Sequence, residues 1–183
     1  MELLPGEDAE FLAALGRFTV RFAAAEACLD ICNTIIFNYC GGDSVQPEIP
    51  RSLERKIAYF NDCQKTCKLA SADKGFGDWA TDIIREFSSI RSDRHFLIHG
   101  MGWQLLKDGK ITIAKLEYEK THLREVEKVM SLTFVIELGD RSWQLENATL
   151  KYGVFLLRFI PTDKLDKALR ELDVEFLRTF PLC

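Results

Sequence analysis

The chain has 183 residues, 47% hydrophobic and 28% charged, with a formal net charge of -4 and an isoelectric point near 5.5. That length suits one ordinary domain with a substantial core, and the composition excludes intrinsic disorder. The acidic balance excludes a global cationic field for collecting nucleic acid, so any RNA contact must be local or made across an oligomer, and no DNA binding is expected.

No run approaches the roughly 18 apolar residues of a membrane span, and the opening MELLPGEDAEF lacks a basic region ahead of an apolar one, so no membrane association and a cytoplasmic location are expected. The six cysteines, Cys28, Cys32, Cys40, Cys63, Cys67 and Cys183, fit reduced core thiols. Cys28/Cys32 and Cys63/Cys67 lie one helical turn apart inside apolar patterns, unlike a four-cysteine metal knuckle.

From about 7 to 40, Phe11, Leu15, Phe18, Phe22, Ala25, Leu29, Cys32 and Ile36 recur at spacings of three and four, which predicts a long amphipathic helix. Glu26 and Asp30 ride the flank of this stripe one turn apart. They are acceptors for a basic group on a packed neighbour or, alternatively, a solvated helix edge. Gly41 and Gly42 stop the helix, and a connector through Pro50 favours an antiparallel return. Ser52 opens a second helix over 52–68 with Leu53, Ile57, Phe60, Cys63 and Cys67 on its buried line. A break follows, and Asp78 caps a third helix over 78–99.

That third helix is organised around an anomaly. Ile83, Phe87, Ile90, Arg94 and Ile98 share one face, with Trp79 and Leu97 at its edge, so Arg94 stands where the pattern asks for an apolar side chain. A guanidinium there must reach solvent along its stem or find an acceptor, and Glu26 or Asp30 is the expected partner. His95 and His99 lie four apart on the adjoining flank, and Gly100 ends the helix. Arg91 and Asp93 are expected in solvent, with Arg91 the auxiliary phosphate contact.

Beyond Gly100 the period changes. Strands are expected over 101–107 and 111–119, joined by a hairpin at Asp108-Gly109. Their register is loosely specified, because the faces of the second strand swap character along its length. Over 121–138, HLREVEKVM accepts a helical period and SLTFVIEL reads as strand material, giving a third strand over 131–138. Gly139-Asp140 marks a break before helices over 145–160 and 163–178. The fold expected is α+β and mainly α: one domain over 1–183, an antiparallel helical bundle with a small inserted antiparallel sheet.

Cleaving RNA without metal needs a base for the ribose hydroxyl, a proton donor for the leaving oxygen and positive charge against the developing phosphorane. Histidine suits either proton transfer and arginine the phosphate. Arg94 and His99 are separated by about 7.5 Å of rise and roughly 140° of azimuth on an ideal helix, so a composite pocket needs a bent helix end or a second copy across a twofold axis. His95 and His99 also have chelating spacing, but no third ligand is evident, and no metal or cofactor is expected.

The segment RHFLIH resembles the arginine, four to six residues, histidine signature of the HEPN (higher eukaryotes and prokaryotes nucleotide-binding) superfamily. GRFTVRFAAAEACLD, SLERKIAYF and HGMGW extend the resemblance over roughly residues 11 to 118. It implies Arg94 as the motif arginine, His95 as the polar residue after it and His99 as the motif histidine. It further implies a homodimer with the motif facing the partner, and RNA binding or metal-independent endoribonuclease activity. In that reading His99 transfers the proton, Arg94 holds the phosphate, Glu26 orients Arg94 and His95 assists. The alternative is a noncatalytic, antitoxin-like module that binds a protein partner, its Arg94 and His99 serving only helix packing and the helix end.

Overall fold

The computed structural model describes residues 7–72, 74–100, 103–106, 110–119 and 122–171. In chain order these form α1 (Glu7–Tyr39), α2 (Leu53–Thr66), α3 (Leu69–Ala72), α4 (Lys74–His99), β1 (Trp103–Leu105), β2 (Lys110–Glu119), β3 (His122–Ser131), α5 (Leu132–Leu156) and α6 (Thr162–Glu171). Short 3-10 turns at Gly42–Ser44 and Leu157–Phe159 complete the order. The fold is α+β, mainly helical with a small antiparallel sheet, and among the described residues no helix is long and apolar enough to cross a membrane.

The described residues form two compact units, one within Met1–Ala23 and Ser88–Gln144, the other within Ala24–Phe87 and Leu145–Cys183. In the first, Phe11, Phe18 and Phe22 of α1, Ile90 and Leu97 of α4, Ile111 and Ile113 of β2, Met130 of β3, and Val135 and Leu138 of α5 are buried. The sheet has the order β1-β2-β3 with antiparallel neighbours throughout. The β2-β3 ladder runs from Lys110 opposite Ser131 to Glu119 opposite His122, whereas β1 covers only Ile111 to Ile113 of β2.

This ladder explains the face swap in β2. Ile111 and Ile113 are buried, while Lys115 and Glu117 continue the same face outward and pair with each other at 2.7 Å. The ammonium of Lys115 lies 5.3 Å from the centre of the Phe96 ring, so a cation at an apolar parity is accommodated by its stem and an aromatic face.

The second unit centres on Phe60, Phe76 and Tyr152. Phe76 stacks on Tyr152 at 4.1 Å with planes 6° apart, Phe60 meets Tyr152 edge-on at 5.2 Å, and the Tyr152 hydroxyl donates to Gln64 Oε1 at 2.5 Å. A buried phenol thereby keeps its hydrogen bond. Gly41, at φ 82°, supplies the left-handed residue that turns the chain out of α1.

Several expected elements differ. The strand expected over 131–138 is the start of α5, and HLREVEKVMS is β3 instead. Alternation decides the strand: Met130 is buried and Lys128 and Val126 are half-buried, while Val129, Glu127 and Glu125 point outward. Capping decides the helix, because Ser131 Oγ accepts the Phe134 N–H at 3.0 Å, and Val135, Leu138, Ser142, Leu145, Thr149, Tyr152 and Leu156 then form one buried stripe. That stripe carries α5 through Gly139 and Asp140, where a break was expected. Likewise α4 starts at Lys74, placing Asp78 inside the helix rather than at its cap. The Asp108-Gly109 turn and the end of the last expected helix, beyond Glu171, lie outside the described residues.

Candidate functional site

Arg91, Arg94, His95 and His99 all stand on the last turns of α4, in the first unit; Glu26 and Asp30 stand on α1, in the second. The α4 stripe places Leu97 in the core at 2% exposure and leaves Ile98 39% exposed, reversing the two roles expected of them. Successive buried positions at Ile83, Phe87, Ile90 and Leu97 keep Arg94 on the stripe, half-buried, with its guanidinium carbon 5.6 Å from the centre of the Phe22 ring. The ring face offers the charge an attractive surface in an apolar setting.

His95 and His99 are exposed, their ring centres 5.0 Å apart with planes inclined by 56°. The helix stays regular to His99, and the Gly100 N–H closes the end on Phe96 O at 2.9 Å. A side chain at position 100 would collide with the Ile113 Cγ2 methyl of β2 and meet Phe96 O at 2.6 Å. Glycine at this position therefore lets β2 approach the end of α4.

Around them the sheet supplies charge. Desolvation pulls the His95 pKa below its ordinary 6.5, helped by the Lys115 ammonium, His99 and Arg94 and opposed by the Glu117 carboxylate. His95 is thereby biased toward the neutral ring that accepts a proton. Lys128 of β3 donates to Asp93 Oδ1 and lies 5.6 Å from the Phe96 ring centre. Asp93, expected in solvent, is only 8% exposed, so it is a buried carboxylate neutralised by the sheet. Arg91 is exposed.

Glu26 and Asp30 share a basic partner on α2. The Lys56 ammonium donates to Asp30 Oδ2 at 2.8 Å and Glu26 Oε1 at 3.2 Å, while the Lys56 carbonyl accepts from Asn33 Nδ2 at 3.2 Å. A signal was present in the sequence: Lys56 precedes Ile57 and lies four before Phe60, on the edge of the α2 apolar line. The overlooked members on the sheet, Lys115 and Lys128, both fall at the inward parity of their strands.

Among the described residues no group of three or more histidine, cysteine, aspartate and glutamate side chains is arranged to hold a metal ion. The exposed arrangement offers two imidazoles for proton transfer, with Lys115 and Arg94 as nearby positive charge. The chain matches no family model, no curated protein and no solved structure.

Proposed function

We propose that the chain binds RNA and cleaves it without metal as a HEPN-like endoribonuclease, His99 transferring a proton, His95 assisting and Arg94 holding the phosphate. The observation that carries this reading is the exposed His95/His99 ring pair, 5.0 Å apart at the end of a helix that also bears a half-buried arginine. The regular helix leaves Arg94 and His99 about 7.5 Å apart in rise, and a twofold homodimer bringing two such ends together would supply arginine and histidine to one phosphate. Arg91 is auxiliary in this reading, and Glu26 and Asp30, which pair with Lys56, are assigned no role in it.

A noncatalytic protein-binding module is the second reading, favoured by the outer face of the β2-β3 ladder, where Leu116, Val129 and Leu123 are 43%, 53% and 57% exposed. Incubating purified protein with single-stranded RNA in EDTA separates the two. The enzyme cleaves, a 2'-deoxy residue at the cleavage point blocks it, and His99→Ala lowers the rate by roughly 10²- to 10⁴-fold with an unchanged circular dichroism spectrum. Equal RNA decay by wild type and His99→Ala, or no decay by wild type, rejects the catalytic assignment.

A further inference from the structure

We infer that His95 and His99 form a two-imidazole chelate for a divalent transition ion of the nickel, copper and zinc group. The two side chains project from one face of the last turn of α4 and both are exposed, with ring centres 5.0 Å apart. An ion bonded to an imidazole nitrogen at about 2.0–2.1 Å lies roughly 3 Å from that ring's centre. Two rings sharing one ion at an angle between square and tetrahedral therefore stand roughly 4.5–5 Å apart. The pair is already at the spacing a common ion imposes, and imidazole is a donor that these ions favour.

The surroundings set the character of the site. Glu117 faces His95 but is held by Lys115 at 2.7 Å, and Lys115 and Arg94 add positive charge near the rings. With two protein ligands, the remaining positions go to water, which makes the ion exchangeable, unlike the closed four-ligand shell of a structural zinc site. The site does not depend on the ribonuclease reading. Where that reading holds, an ion on both imidazoles occupies the lone pairs that proton transfer uses, so the same ions act as inhibitors and EDTA relieves them.

The test uses the full chain without an affinity tag, titrated with nickel chloride alone in a non-coordinating buffer and followed by calorimetry and by the imidazole proton resonances. One ion is expected per chain, broadening His95 and His99 together. His95→Ala and His99→Ala should each weaken binding by about tenfold or more, because each removes one arm of the chelate. His122→Ala should leave it unchanged, with circular dichroism checking each fold. No saturable binding by wild type, or wild-type affinity in either the His95→Ala or the His99→Ala variant, overturns the inference. Nickel binding is read without RNA, so a protein that binds nickel but cleaves nothing sinks the ribonuclease reading alone, and one that cleaves RNA but ignores nickel sinks this inference alone.

Discussion

The ammonium of Lys128 on β3 neutralises the buried carboxylate of Asp93 on α4, and lies over the Phe96 ring three residues further along that helix. The contact ties the sheet to the turns that carry His95 and His99. Lys128→Met strands the carboxylate and is expected to lower unfolding free energy by about 1–3 kcal/mol, part of the ammonium's exposure limiting the loss. Urea unfolding measures it. A change below about 0.5 kcal/mol, within the range of an ordinary surface substitution, would show that the pair does not anchor the sheet.

Gly100 is the second anchor. Alanine there drives a methyl into Ile113 and toward Phe96 O, so β2 must retreat from the end of α4 or the helix must unwind. Gly100→Ala is expected to cost about 1–3 kcal/mol, the range for overpacking a close contact. Adding Ile113→Ala should cost less in the Gly100→Ala background than in wild type, because the two changes share one space. Strict additivity in the four-protein cycle would place the strain elsewhere.

Periodicity made the helices legible. The α1 stripe from Phe11 to Ile36 and the α2 line from Leu53 to Cys63 are both largely buried, as three-and-four spacing requires. The departure lies in Leu132 to Leu138, helical where a strand is expected, because local propensity and tertiary contact disagree there. Phe134, Val135 and Ile136 favour strand on their own, and what makes them helical is the Ser131 cap together with a stripe that continues well beyond the window. At the site, the His95/His99 pair follows from helical spacing alone. Lys115, Lys128 and Asp93 needed the sheet register, which no short sequence window contains, and the Lys56 pairing needed the packing of α2 on α1.

His95 should titrate below 6.5, as partial desolvation, Lys115, His99 and Arg94 disfavour its cation more than Glu117 favours it. A histidine lowered by folding contributes stability that is complete above its unfolded pKa and is lost as pH falls through the folded one. Removing the ammonium with Lys115→Met should raise the midpoint seen by NMR, and added salt should shift it upward in wild type by screening Lys115 and Arg94. A midpoint unmoved by Lys115→Met would show that the lysine charge does not reach the ring.

Alkaline pH tests the other unit. Burial, with Glu146 adding to it, pushes the Cys28 thiol from an ordinary 9.0 to about 12, and burial pushes the Cys63 thiol to about 12 as well. Burial also raises Tyr152. At Lys56 burial pulls downward, but the hydrogen bonds and charges of Asp30 and Glu26 outweigh it and raise the pKa above 10.5. Each group therefore holds its proton longer in the folded chain than in the unfolded one. The linked stability is complete below the unfolded pKa and is lost as pH rises through the folded one, since the unfolded chain sheds protons first. The thiols begin to respond near 9.0, before lysine, so urea midpoints should start falling there, with a slope of up to about 1.4 kcal/mol per pH unit for each fully responsive thiol. Cys28→Ala should be less stable at neutral pH yet lose stability less steeply between 9.0 and about 12. Lys56→Met should cost about 1–3 kcal/mol near neutrality, toward the lower end because Asp30 is partly exposed, and the cost should shrink only above 10.5 as the wild-type ammonium deprotonates. A wild-type midpoint that stays flat from neutrality to 10.5 would mean that the thiols are as free to ionise in the folded chain as in the unfolded one, and the burial of Cys28 and Cys63 would have to be abandoned.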